Sequence, residues 1–100
     1  MGYILFDIAV ALTPEEIATE PGPVTLTMPA GTYLQSIVIL PLIGDSINVG
    51  STPGGSEFEN LFPLTANDYN TVQVGRKFLV ATTIYITGLS DTATIILYKR

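Results

Sequence analysis

Glu57 and Glu59, two carboxylates separated by one residue, are the first side chains of this sequence that could do chemistry. Residues i and i+2 of a β-strand point to the same face, so a strand over 57–62 would present both acids together. Glycosidases work with paired carboxylates, but theirs flank the substrate from separate elements. No other catalytic group accompanies the two glutamates. We therefore interpret them as a solvated strand face that follows a glycine-rich loop.

Two loop segments contain the atoms that ligand sites use. Residues 67–70 (NDYN) offer oxygen ligands for Ca²⁺, but they lack the regular acidic spacing and the bidentate glutamate of known calcium loops. Asn and Asp also hydrogen-bond their own backbone in turns, and this favours a turn. Residues 51–56 (STPGGS) lack the lysine and the strand-to-helix context of a phosphate-binding loop. We expect Gly54 and Gly55 to serve a turn that needs positive φ.

The amino-acid composition excludes most catalytic chemistry. The 100-residue chain contains no histidine and no cysteine. A Ser-His-Asp triad, a thiol nucleophile, a thiolate metal site and a disulfide scaffold are therefore ruled out. Lys77 or Lys99 could act as a base only if buried, and nothing in the sequence predicts that. We expect no enzymatic activity, no catalytic residue, no metal and no cofactor.

Charge is sparse and unevenly distributed along the chain. Charged residues make up 13% of the sequence, and the formal net charge is −5. Residues 1–75 contain no Lys or Arg, and the basic residues form two pairs, at 76–77 and 99–100. Two basic pairs cannot neutralise a phosphate backbone, so we expect no nucleic-acid partner. The longest apolar run, 37–43, is too short to span a membrane, and the N-terminus lacks the basic region of a signal peptide. We expect synthesis in the cytoplasm without export and no membrane association.

The elements that would position these residues are short β-prone runs separated by Gly, Pro, Asn and Asp. We predict strands over 3–12, 24–28, 33–40, 46–50, 57–62, 71–74, 76–82, 83–87 and 93–98. Residues 13–16 (TPEE) read as a capping box that starts a short helical turn. The turn at 88–91 predicts a hairpin between the last two strands. A spacing near ten residues is typical of an all-β fold, an antiparallel β-sandwich or jelly-roll-like barrel of about eight short strands.

Sparse charge also predicts self-association. A chain of this mass exposes about 5,500 Å² when folded, or roughly 400 Å² per charged residue, which is the size of patch that marks interfaces. The strand-prone stretches 3–10 and 93–98 would invite pairing with other chains if they were free edges. The alternative is a monomer covered by Thr, Ser, Asn and Tyr. We favour the homo-oligomer, and its expected contact residues are Tyr3, Phe6, Ile8, Tyr85, Tyr98, Lys99 and Arg100.

Tyr85 alternates with Ile84 and Ile86, so it points outward if the isoleucines face the core. An outward tyrosine suits an interface or sugar stacking. A cross-strand Tyr–Thr ladder without a ligand is equally compatible with the pattern. The C-terminal basic pair, Lys99 and Arg100, would face acidic neighbours.

Several stretches resemble small virion structural proteins of tailed bacteriophages. They are 26–39 (LTMPAGTYLQSIVI), 47–55 (INVGSTPGG), 83–88 (TIYITG) and 93–98 (ATIILY). The resemblance covers residues 24–98 and is a pattern of strands and turns that brings no site residues with it. It implies a β-sandwich or jelly-roll module, often trimeric, used as capsid decoration (cement), head fibre or tail component.

The resemblance also sets expectations for partners and organisation. The partners would be further copies of the chain and the major capsid protein or another virion protein, and the location would be the virion. Residues 1–23 are not covered by it, and we expect them to form an N-terminal strand or arm and a short connection. Residues 24–100 would form the sandwich domain. The alternative function is a glycan- or receptor-binding β-module of a phage tail or fibre.

Overall fold

The structure, a computed structural model, describes residues 11–100. These residues form eight β-strands and no helix, so the predicted all-β fold is confirmed. The strands are β1 (Thr13–Thr19), β2 (Val24–Met28), β3 (Tyr33–Pro41), β4 (Ser46–Gly50), β5 (Glu59–Pro63), β6 (Asn70–Lys77), β7 (Thr82–Thr87) and β8 (Ala93–Lys99). Of the strand predicted over 3–12, residues 3–10 lie outside the described residues, and 11–12 have no regular structure.

The strands form two four-stranded antiparallel sheets. Sheet A has the order β1-β8-β3-β6 and sheet B the order β2-β7-β4-β5. The first strand pairs with the last, the second with the seventh, the third with the sixth and the fourth with the fifth. The chain is therefore one long hairpin rolled up on itself, which is the strand order of a jelly roll.

Alternation along the strands places the core between the two sheets. Ile37 and Ile39 of β3, Ile84 and Ile86 of β7, and Ile95 of β8 are fully buried. Their immediate neighbours on β7 and β8 are only half-buried. Burying each such side chain contributes about 1.5–3 kcal/mol, so this inner layer is the main source of stability.

The N-terminal part of the described chain is a strand and not the predicted helical turn. Residues Thr13 to Thr19 pair in unbroken register with Lys99 to Ala93 of β8. The capping-box pattern was misleading because ladder pairing outweighs the weak preference of an isolated helical turn. Pro14 and Glu15 are compatible with a strand because β1 is an edge strand, where proline and charge discourage further pairing. Sheet A therefore begins N-terminal to residue 24.

The C-terminal hairpin prediction was wrong. β7 lies in sheet B and β8 in sheet A, and the segment between them crosses from one sheet to the other. Gly88 has a φ of 118°, which L-residues rarely adopt, and a Cβ there would collide with the Ser46 carbonyl. β8 is an interior strand between β1 and β3, so residues 93–98 are not a free edge.

Gly75 lies within one continuous strand, β6, where two strands over 71–74 and 76–82 were predicted. Its φ is 61°, and the register between β3 and β6 shifts at this point. A glycine in the left-handed region is the signature of a β-bulge that lets a strand continue past it. The chain turns only after Lys77.

Candidate interaction surfaces

Glu57 closes the glycine-rich loop and does not share a strand face with Glu59. β5 begins at Glu59, and the Glu57 carboxylate accepts hydrogen bonds from the Ser51 N–H at 3.0 Å and the Thr52 hydroxyl at 2.9 Å. Hydrogen bonds from its own backbone N–H and from Thr52 hold the pKa of Glu57 below its ordinary value. The two-carboxylate face was therefore a wrong prediction. The positive φ expected in the Gly54–Gly55 turn is confirmed at Gly54, with a φ of 70°, and is not found at Gly55.

Residues 67–70 form a turn, as interpreted from the sequence. The Asn70 amide accepts a hydrogen bond from the Thr65 N–H at 2.8 Å and donates to the carbonyls of Thr65 and Asp68. The Asp68 carboxylate accepts from the Tyr69 N–H at 2.8 Å. The Asp68 carboxylate and the Asn70 amide are thus engaged in shaping the loop. Within residues 11–100, no group of three or more His, Cys, Asp or Glu is placed to hold a metal ion.

A search of the described residues for a helix long and apolar enough to cross a membrane finds none.

The outward faces of the two sheets are almost free of charge. We call the outward side chains of β3 and β8 wall A, namely Ser36, Val38, Leu40, Thr94, Ile96 and Tyr98. We call those of β2, β4 and β7 wall B, namely Thr25, Thr27, Asn48, Thr83, Tyr85 and Thr87. Neither wall contains a charged residue. The charges of the described chain lie on edge strands, at strand ends and in loops.

Wall A is apolar at its centre. Val38 lies opposite Ile96 on one side and Thr71 on the other. Val38 is only 8% exposed although it faces away from the core. Tyr98 lies opposite Ser36, and Glu16 of the edge strand β1 flanks Ile96 at the margin of the wall.

Wall B is polar without being charged. Tyr85 is half-buried and alternates with the fully buried Ile84 and Ile86, so the outward orientation predicted for it is confirmed. Thr25 lies opposite it on β2. The register therefore pairs Tyr85 with a threonine, as the interpretation of a cross-strand Tyr–Thr ladder requires.

All four basic residues converge at one end of the sandwich, which we call the basic end. Lys77 lies opposite Tyr33, and Leu34 has both Arg76 and Lys99 as register partners. Lys99 lies 2.7 Å from the Glu15 carboxylate of its own chain, and its expected contact with acidic residues of a neighbour stays a prediction. The Arg100 guanidinium lies 4.7 Å from the centre of the Tyr33 ring.

The opposite end, which we call the acidic end, contains Glu20, Asp45, Asp68 and Asp91 and no basic residue among those described. Backbone and side-chain hydrogen bonds join its loops. The Asp45 carboxylate accepts from the Ser90 N–H at 2.9 Å, and the Gly22 N–H donates to the Leu89 carbonyl at 3.1 Å. This separation of charge was not visible in the sequence because it depends on which strand ends meet.

Two surface cavities lie beside β1. One, of about 330 Å³, opens between the edge strands β1 and β2 and is lined by Ile17, Val24 and Leu26 among others. The second, of about 440 Å³, lies where wall A meets the acidic end, and we call it the wall A depression. Ala18, Leu40 and Thr94, which are aligned across sheet A, line it together with Glu20 and Leu42.

Of the contact residues predicted from the sequence, Tyr3, Phe6 and Ile8 lie outside the described residues. Tyr98 lies on wall A, Tyr85 on wall B, and Lys99 and Arg100 at the basic end. The sequence reasoning missed Leu79 and Val80, which are 80% and 70% exposed. The signal for them was the apolar run 78–80 directly after two basic residues, which we had assigned to the interior of a strand.

No protein-family model matches the sequence, and no curated protein matches it. Among solved structures, the chain is similar to a de novo designed double-stranded β-helix determined by solution NMR. The sequence identity is 12%, the TM-score is 0.47, and the alignment covers 88% of this chain and 99% of the designed one.

Proposed function

We propose that this protein is a non-enzymatic structural protein of a bacteriophage virion. It self-associates, with a trimer as the expected oligomer, and attaches to the capsid to stabilise or decorate it. The partners are further copies of the chain and the major capsid protein or another virion protein.

Wall A is the observation that carries the proposal. An antiparallel sheet that faces water normally alternates apolar residues inward with polar or charged residues outward. Here Val38, Leu40 and Ile96 are outward, and no charge lies on β3 or among residues 93–98 of β8. Val38 is 8% exposed and Leu40 and Ile96 are half-buried, so the apolar area that another protein surface could remove from water is mainly that of Leu40 and Ile96, a gain of about 25 cal/mol per Å². A face of this kind suits a component that is always assembled with neighbours.

Three further features support the proposal. Jelly rolls occur among viral capsid domains, although a fold by itself does not decide function. The resemblance of residues 24–98 to small phage virion proteins implies the same setting. The conspicuous polar groups of Glu57 and Asn70 form hydrogen bonds that shape loops, which is a structural use.

The test compares Ile96→Lys with Asn60→Lys, which adds the same charge to an exposed position of the edge strand β5. Glu16 lies opposite residue 96 and can pair with the new ammonium, so the variant keeps its fold. That pair would have to be desolvated at a covered apolar face, and this weakens association by about tenfold or more.

Native mass is measured by light scattering and sedimentation velocity over roughly a hundredfold dilution, with circular dichroism as the check on folding. We expect an oligomer for the wild type and for Asn60→Lys, and dissociation for Ile96→Lys. A wild-type monomer at every concentration, or an Ile96→Lys variant as associated as the wild type, contradicts self-association through wall A.

A further inference from the structure

An exposed apolar tip next to a lysine and an apolar-lined depression next to a glutamate lie at opposite ends of the molecule. We propose that the exposed Leu79–Val80 tip of one copy docks in the wall A depression of a second copy, with Lys77 facing Glu20 across the contact. The inference rests on the proposed self-association through wall A and identifies one pair of surfaces in it, since the depression shares Leu40 and Thr94 with wall A.

The tip is apolar and exposed, and the residue directly before it is held in place by packing and backbone hydrogen bonds. Leu79 and Val80 are 80% and 70% exposed, the two highest values among the exposed large hydrophobic residues described. Phe78, directly before them, is buried and makes an edge-to-face contact with Phe58 at 6.3 Å. The Phe78 N–H donates to the Thr32 carbonyl at 2.8 Å, and the Gly31 N–H donates to the Phe78 carbonyl at 2.7 Å. An anchored tip loses little conformational entropy on docking, which favours its use as a contact.

The wall A depression has the size and lining to receive the tip. Its volume is about 440 Å³, and Ala18, Leu40, Pro41 and Leu42 supply apolar surface. Leu42 is itself 55% exposed, so this apolar surface continues beyond the depression. Seating the two apolar side chains of the tip in this depression removes their apolar area from water, a gain of about 25 cal/mol per Å².

Charge fixes the orientation of the contact. Lys77, two residues before the tip, is exposed at the end of β6. Glu20 lines the depression and is exposed. Asp45, Asp68 and Asp91 add negative charge at the same end. The basic end has mixed charge, because Glu15 pairs with Lys99 and Glu57 and Glu59 flank Phe58 beneath Arg76, so it is the less favourable partner for Lys77.

The two surfaces are different, so the contact is heterologous and not self-complementary. A cyclic trimer can be built only from such contacts, whereas wall A packed on wall A would give a two-fold dimer. The inference therefore supplies the type of interface that the expected trimer requires.

The first experiment removes the apolar tip. Leu79→Ser combined with Val80→Ser is compared with Leu61→Ser, a change to a leucine that is 65% exposed on β5 and lies away from both surfaces. Sedimentation velocity should show association weakened about tenfold or more for the tip variant and unchanged for Leu61→Ser. An associated wild type whose tip variant associates equally well overturns the inference and leaves the proposed function standing. A wild-type monomer overturns both.

The second experiment exchanges the charges. Lys77→Glu alone and Glu20→Lys alone each place like charges across the contact and should reduce association, more strongly at low salt. In an equimolar mixture, every contact between unlike variants again joins a lysine to a glutamate. A ring of three copies still keeps one contact between like variants, so association should recover in part, above that of either variant alone and below the wild-type level. Both changes are at exposed positions, which keeps the fold intact. A mixture no more associated than the separate variants overturns the inference.

Discussion

Walls A and B have the same architecture but different outward residues. Each lies on the outer face of a four-stranded antiparallel sheet, and each sheet has fully buried isoleucines on the side facing the core. Wall A shows Val38, Leu40 and Ile96 to the outside, whereas wall B shows mainly threonines. Threonine retains the β-branched shape that suits a strand and adds a hydroxyl that water can bind. Wall B can therefore remain in water, and wall A gains from being covered.

The comparison separates two requirements that a β-sandwich places on its sequence. The inward residues of both sheets must be apolar, because they form one shared core. The outward residues are free to differ, because each wall meets its own surroundings. A difference between the outward residues of the two walls therefore says something about what each wall contacts. A difference between the inward residues would say something only about core packing.

The largest effects on stability are expected for large-to-small substitutions in the shared core, where the two sheets should respond alike. Ile95→Ala in sheet A and Ile84→Ala in sheet B each remove a fully buried side chain, and each should cost about 2–5 kcal/mol of unfolding free energy. Urea denaturation at one fixed protein concentration measures both, since stability of an oligomer depends on concentration. A near-neutral effect for only one of them would show that the two inner faces are not equivalent.

A smaller effect is expected from charge on wall B. Tyr85→Lys places an ammonium opposite Thr25, at a position comparable with Ile96 on wall A. Native mass should stay at the wild-type value for Tyr85→Lys, whereas Ile96→Lys dissociates. Equal dissociation of both variants would mean that wall B is covered as well, and the contrast between the walls would be lost.

The smallest effect concerns the loop of residues 51–57 at the margin of wall B. The folded state lowers the pKa of Glu57 from its ordinary value of 4.5, so its contribution is present above that value and is lost as pH falls through the lowered pKa. Acidification should weaken the hydrogen bond from the Ser51 N–H and open the loop while the walls stay unchanged.

The Ser51 amide signal, followed by NMR during a pH titration, measures this opening. Glu57→Gln is the control, because its amide does not titrate in this range. A Ser51 signal with a midpoint above 4.5, or the same titration in Glu57→Gln, would exclude the carboxylate as its cause.

Features that depend on neighbouring residues were predictable from the sequence. The alternation of Val24–Met28 and of residues 83–87 led directly to β2, to most of β7 and to the outward orientation of Tyr85. Asn and Asp form hydrogen bonds within a few residues of themselves, so the turn at 67–70 could be recognised as well. The two prolines of residues 21–23 and the glycine between them correctly marked the end of an element.

Features that depend on distant residues were not predictable in this way. Residues 13–16 carry a local helix signal, but pairing with β8, at the other end of the chain, makes them a strand. The turn at 88–91 has the composition of a hairpin, yet the rolled topology separates β7 and β8 into different sheets. Each outcome depends on contacts between parts of the chain remote in sequence, which no short window contains.

The amino-acid sequence alone shows that this is a β-rich chain with few charges and without histidine or cysteine chemistry, because residue counts and periodicity do not depend on how strands pair. The assignment of apolar residues to wall A and threonines to wall B requires the register. The meeting of residues 76–77 with 99–100 around the start of β3, far from the acidic loops, requires the order of strands in sheet A. Surfaces are assembled from separate segments, so their charge and shape exist only once the sheets have formed.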